Sequence, residues 1–104
     1  MEYNSFEAVW GKLCQLQGRK FKTKRGLPFT FAVKSGTAVW VQRDGKTVNQ
    51  ALAKSSFEQV RRYMQGGLIH NIADINRVAK ERGESQVRGP AYIWAILDDG
   101  RVVP

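Results

Sequence analysis

Two dipeptides, Ser35-Gly36 and Asp44-Gly45, cut the middle of this chain into strand-length pieces, and that spacing limits the folds open to it. Before the first, Phe29, Phe31 and Val33 share one face of an extended segment, with Thr30, Ala32 and Lys34 on the other. Between the two, residues 37–43 are rich in β-branched and aromatic types. Glycine tolerates the positive φ of a tight hairpin, and Asp-Gly is the stronger of the two turn signals. Residues 46–49 read as a short last strand. Upstream, Lys20-Phe21-Lys22-Thr23-Lys24 alternates charged with uncharged side chains, and Arg25-Gly26-Leu27-Pro28 punctuates it. The expectation is a three- to four-stranded antiparallel sheet.

On either side of this block the period changes. Phe6, Val9, Trp10 and Leu13 make one helical stripe, with Asn4 and Glu7 as a capping box and Gly18 as the stop. After the strands, Ser55 and Glu58 repeat the capping pattern ahead of Phe57, Val60 and Met64, with Tyr63 at the edge of that face. Gly66-Gly67 ends this helix. Asn71 caps the next, whose inward residues are Ile72, Ile75, Val78 and Ala79, and Gly83 ends it. Residues 91–97 are ambiguous. Pro90 at a first helical position and Gly100 as a stop favour a helix, while Tyr92, Ile93, Trp94 and Ile96, followed by Asp99-Gly100, fit a hairpin. The helix is preferred. The layout is an N-terminal helix, the sheet, then two or three C-terminal helices, an α+β domain over residues 1–104.

A chain of 104 residues, 42% hydrophobic and 25% charged, can bury one real core, which argues against disorder. Cys14 is the single cysteine, so no intramolecular disulfide is available, unlike most secreted scaffolds of this size. The start, Met1-Glu2-Tyr3-Asn4, is acidic and polar, and the longest apolar run falls far below the ~20 residues of a membrane span. No membrane partner and a cytoplasmic location are expected.

Charge is the strongest functional signal. The net charge is +8, but residues 19–46 alone carry eight positive charges against one negative. Arg19, Lys20, Lys22, Lys24 and Arg25 fall within seven residues, without a neighbouring acid in the sequence. In a strand, Lys20, Lys22 and Lys24 would project to one side at intervals of about 6.6–6.8 Å, a row able to follow a phosphate backbone. The same lysines on an edge strand would also discourage aggregation. Lys34, Arg43 and Lys46 lie on neighbouring strands or turns and would widen the surface. Trp40 points away from the face of Val39 and Val41, either outward, where it could stack on a base, or under a second layer. Arg61, Arg77 and Arg88 are possible extensions of the basic surface, although Glu58–Arg62 and Arg77–Glu81 spacings suggest ordinary ion pairs on solvated helix faces.

Catalytic residue sets are scarce. His70 and Cys14 stand alone in their types, so no zinc set is legible. Asp98-Asp99 read as a helix-end turn and Glu81 with Glu84 as local ion-pair partners. Gly66-Gly67 lacks the Lys-Ser/Thr of a phosphate loop. No catalytic residue, metal site or cofactor is assigned. The link from Gly66 to His70 is longer than the turn of a helix-turn-helix. The expected function is a non-enzymatic module that binds an anionic partner, foremost a nucleic acid (DNA or RNA), through a basic strand. The alternative is an accessory module for an acidic protein, anchored by Trp40 or by Tyr92 and Trp94. A small ribonuclease using His70 and nearby arginines stands third.

Overall fold

The computed structural model describes residues 5–102, apart from the side chains at 49 and 50. Both expected hairpins form. Ser35 and Gly36 have φ of 57° and 66°, and Asp44 and Gly45 have 55° and 75°, the paired positive φ of type I′ turns. The strands they join are β2 (Pro28–Lys34), β3 (Ala38–Arg43) and β4 (Lys46–Ala53). β4 continues to Ala53, beyond the short strand expected, and its register with β3 shifts between Trp40 and Gln42.

The fourth strand, β1 (Phe21–Lys22), is shorter than the alternation suggested and pairs only as Phe21 with Phe29 and Lys22 with Pro28. Thr23 ends it. The Thr23 N–H donates to the Leu27 carbonyl at 2.9 Å, and the Leu27 N–H donates to the Thr23 hydroxyl at 3.1 Å. That closed loop places Lys24 and Arg25 in a turn. The sheet order is β1-β2-β3-β4, antiparallel throughout. Where β1 stops short, the open edge of β2 is covered from the preceding segment. Gln17 Oε1 accepts from the Val33 N–H at 2.8 Å, and the Gly18 N–H donates to the Phe31 carbonyl at 3.0 Å.

Helix α1 (Phe6–Gln15) is capped by Ser5, whose hydroxyl accepts from the Ala8 N–H at 3.2 Å; Asn4 lies outside the described residues. Helix α2 (Lys54–Gln65) starts a residue before Ser55, directly after β4 and with no side-chain cap. The Lys54 N–H donates to the Thr37 carbonyl at 2.8 Å, so the β2–β3 turn satisfies a donor there. Tyr63 is fully buried and Met64 only partly, the reverse of the expected weighting. Helix α3 (Ile72–Glu81) is capped by Asn71, which accepts from the Asp74 N–H at 3.0 Å, while the Asp74 carboxylate accepts from the His70 N–H at 2.8 Å.

The ambiguous last stretch is a helix, α4 (Pro90–Leu97). Gly89 takes a left-handed conformation before Pro90, and Ile93, Ile96 and Leu97 are buried at helical spacing. The segment before it is sewn to α3 by Asn76, whose amide donates to the Val87 carbonyl at 3.0 Å and accepts from its N–H at 2.7 Å.

All the elements feed one hydrophobic core. Phe21, Phe29, Phe31, Val39, Val41 and Leu52 line the inner sheet face beneath Val9, Trp10, Leu13, Phe57 and Ile93. This is an α+β fold with four strands and helices on the inner side. Arg61 is the buried charged exception. Its Nε has no hydrogen-bond partner, a loss worth about 1–3 kcal/mol for a buried donor. Among the described residues no helix is long and apolar enough to cross a membrane.

Candidate nucleic-acid interface

Strand alternation gives the sheet a second, outer face. Register places Lys22 beside Pro28, then Thr30, Gln42 and Thr47 in a row, then Ala32, Trp40 and Ala51, then Lys34, Ala38 and Ala53. None of these residues is buried. Trp40 is half-buried between two alanines, so its indole lies over small neighbours. The Lys34 ammonium stands 5.4 Å from the centre of its ring. Lysine on an exposed indole is an ordinary cation–π pair, and it leaves a cation and an aromatic surface side by side.

The remaining predicted cations gather at the other end of the sheet. Lys34 is six strand positions from Pro28, roughly 20 Å along β2. Phe21 opposite Phe29 and Thr30 opposite Gln42 bring Lys20, Lys22, Arg43 and Lys46 toward that end, with Lys24 and Arg25 in the turn beyond it. Arg19 lies in the exposed link before β1. The row of three lysines on one strand face does not form, because the chain turns after Lys22. Instead Lys24 and Arg25 join Arg43 around one cavity, also lined by Tyr92 of α4. Arg43 donates to the Tyr92 hydroxyl at 2.9 Å, and the Tyr92 ring meets Phe29 edge-on at 5.1 Å. This gathering crosses 49 positions of sequence between Arg43 and Tyr92. The tyrosine's strand-like propensity pointed elsewhere.

The fold also brings acids that the sequence neighbourhood lacks. Asp98 and Asp99 share a hollow with Lys22 and Lys24, and Asp44 shares another with Lys20. Asp99 is already engaged. Arg101 donates to both its carboxylate oxygens at 2.9 Å and holds its carboxyl below the usual range. Arg101 also donates to the Lys20 carbonyl at 3.0 Å and lies 4.2 Å from the Phe21 ring, which pins β1 to the end of the chain.

Ion pairing divides the molecule. Among the described residues, the pairs are Lys54–Glu7, Arg62–Glu84, Arg82–Glu84, Arg101–Asp99, and Arg77 with both Asp74 and Glu81. All lie outside residues 19–46. The Arg77–Glu81 pair matches its spacing, whereas Arg62 pairs with Glu84 rather than Glu58. Glu84 draws Arg62 because Tyr63, buried beside it, donates to the same carboxylate at 2.7 Å.

Cys14 and His70, the single members of their types, sit apart from this surface. Burial pushes the Cys14 thiol up, against the opposing pull of Lys54, which disfavours the nucleophilic thiolate. His70 is exposed at the start of α3, and the nearest arginine on that helix, Arg77, is held by two carboxylates. No three His, Cys, Asp or Glu side chains among the described residues group as metal ligands.

No protein-family model matches the chain, and no curated protein or solved structure matches it at a significant level.

Proposed function

We propose that this chain is a non-enzymatic nucleic-acid-binding module, for DNA or RNA, that contacts phosphates with the cations of residues 19–46. One observation carries the reading. All eight basic side chains of that segment lack a carboxylate partner among the described residues, whereas five of the nine outside it, Lys54, Arg62, Arg77, Arg82 and Arg101, are ion-paired and Lys12, Arg61, Lys80 and Arg88 are not. Cations without a carboxylate partner are free to displace counterions from phosphate, the main source of affinity in such complexes. Trp40 beside Lys34 adds a place where a base can stack. Binding of this kind is largely indifferent to sequence, because phosphate contacts position without specifying. A cytoplasmic setting goes with the reading.

Fluorescence anisotropy with labelled single-stranded DNA, duplex DNA and RNA, each across a salt series, tests it. Affinity that falls steeply with salt, and a further loss in Trp40→Ala for single strands only, is the expected result. Absence of binding to all three at low salt sinks the reading and leaves an acidic protein as the partner for the same surface. RNA cleavage that disappears in His70→Ala would instead make the chain a ribonuclease.

A further inference from the structure

The hollows of this surface differ in one respect that chemistry can use. Beside Lys20 lies Asp44; beside Lys22 and Lys24 lie Asp98 and Asp99; and the hollow between α1 and α2 holds Glu7 and Glu58 with Lys54. In each, acids offset the cations. The cavity shared by Lys24, Arg25 and Arg43 has no acid in its lining. It measures about 490 Å³, within the range of small-molecule sites.

Its remaining walls are mostly apolar. Leu27, Ile72, Ala91 and the ring of Tyr92 form them, and Leu27 is 48% exposed, so its side chain is accessible to a ligand. Tyr92 is held in place by Arg43 and Phe29, so the aromatic wall is preset. Arg43 spends one N–H on that hydroxyl and keeps its other donors, and Lys24 and Arg25 make no ion pair among the described residues. Ile72 and Ala91 also belong to the first turns of α3 and α4, whose polarity has the same sign as the side chains.

Three cations around an apolar hollow fit a doubly charged anion that carries a flat or greasy body. A phosphate monoester has a charge of about −1.5 to −2 near neutral pH, whereas a backbone diester has −1. We infer that the cavity bounded by Lys24, Arg25, Arg43, Leu27 and Tyr92 binds a nucleoside monophosphate unit, its phosphate on the three cations and its base against Leu27 and Tyr92. The unit has two sources, the phosphorylated end of a strand or a free nucleotide. The strand end rests on the nucleic-acid reading above; the free nucleotide does not.

Calorimetric titration of the full chain distinguishes them, with four probes: a 5′-phosphorylated trithymidylate, its 5′-hydroxyl counterpart, adenosine 5′-monophosphate and inorganic phosphate. The strand end predicts that the phosphorylated trinucleotide binds tighter than its hydroxyl counterpart by on the order of tenfold, as expected for added charge-assisted hydrogen bonds. Arg43→Gln, at an exposed position, should erase that ratio, and Leu27→Ala, also exposed, should weaken adenosine monophosphate while leaving inorganic phosphate as in wild type. Adenosine monophosphate binding without a preference between the trinucleotides identifies the free nucleotide. Equal binding of inorganic phosphate and adenosine monophosphate overturns the inference, since the apolar wall then contributes nothing. Strand binding that ignores the terminal phosphate, with no affinity for adenosine monophosphate, overturns it too but leaves the nucleic-acid reading standing. Binding of adenosine monophosphate alone, with no affinity for any longer strand, does the opposite.

Discussion

At the scale of single residues, Glu84 gathers three side-chain partners on one carboxylate. Its carboxylate accepts from Tyr63 at 2.7 Å and from Arg62 and Arg82 at 3.1 Å each. The Tyr63 hydroxyl first, then the two guanidiniums, hold its carboxyl below the usual range. A folded-state pKa that is depressed gives stability that is complete above the unfolded value, about 4.3 for Glu, and lost as the pH falls through the lower folded value. Glu84→Gln removes the charge permanently. The melting temperature of wild type should therefore exceed that of Glu84→Gln at pH 7, and the gap should narrow toward pH 3. A gap that does not change with pH would show that the ionised form adds nothing. The local pairing of Glu84 with Arg82 was legible in the sequence and forms, whereas Arg62 and Tyr63 lie more than 20 positions from Glu84, and this is why the rest of the cluster was not. Glu58, at i−4 from Arg62, was the local candidate, and tertiary packing chose the partner across the α3 end.

At the scale of elements, the strand hairpins were the most legible part of the chain. Ser35-Gly36 and Asp44-Gly45 state a local backbone requirement that packing does not override. Gly45 has open space where a Cβ would go, so Gly45→Ala tests φ alone. At φ of 75° it should cost about 1 kcal/mol, a drop of roughly 4–8 °C in melting temperature by calorimetry. No change would mean that the turn relaxes to another type. β1 was legible only in part. Alternation of Lys with Phe and Thr looks like a strand, but Phe21 alone is apolar enough to anchor it, and the Thr23 hydroxyl found a closer partner in the turn. The start of α2 was misplaced for a related reason: its first amide bonds to a backbone carbonyl of the β2–β3 turn, which no capping pattern records. In α4, Pro90 at its start proved a better guide than the strand propensity of Tyr92, Ile93 and Trp94, while the expected stop at Gly100 fell too late, since the helix ends at Leu97 with Asp98 as its cap.

At the scale of the whole molecule, the two halves handle charge differently. In the C-terminal half four arginines, at 62, 77, 82 and 101, answer carboxylates while Arg61 and Arg88 do not, and the cations of the sheet and its turns make no ion pair among the described residues. The candidate site was legible as a list of charges but not as an arrangement. A row of lysines was expected, and the turn at Thr23 instead splits the set between the outer face around Lys34 and Trp40 and the cavity end at Lys24, Arg25 and Arg43. For a single-stranded ligand, a neutralised cation that touches phosphate should lower the slope of log affinity against log salt by about 0.7. Lys34→Ala and Lys24→Ala should each do so in titrations at several salt concentrations. Arg77→Ala should leave the slope as in wild type, because its guanidinium already serves Asp74 and Glu81. An equal effect at all three positions would point to net charge alone as the source of binding.

The three tryptophans fall in three settings: Trp10 is buried against Phe57, Trp94 borders the hollow of Lys22 and Lys24, and Trp40 stands on the open sheet beside Lys34. The protein therefore carries an optical reporter over the face in question. An ammonium 5.4 Å from the Trp40 ring draws in anions and repels cations, so iodide meets this indole more often than caesium does. The portion of the emission that iodide extinguishes comes from Trp40 and Trp94, both half-buried beside cations, and the part lost in Trp40→Phe belongs to the open sheet; a ligand stacked there shields that part while the light from Trp10 stays constant.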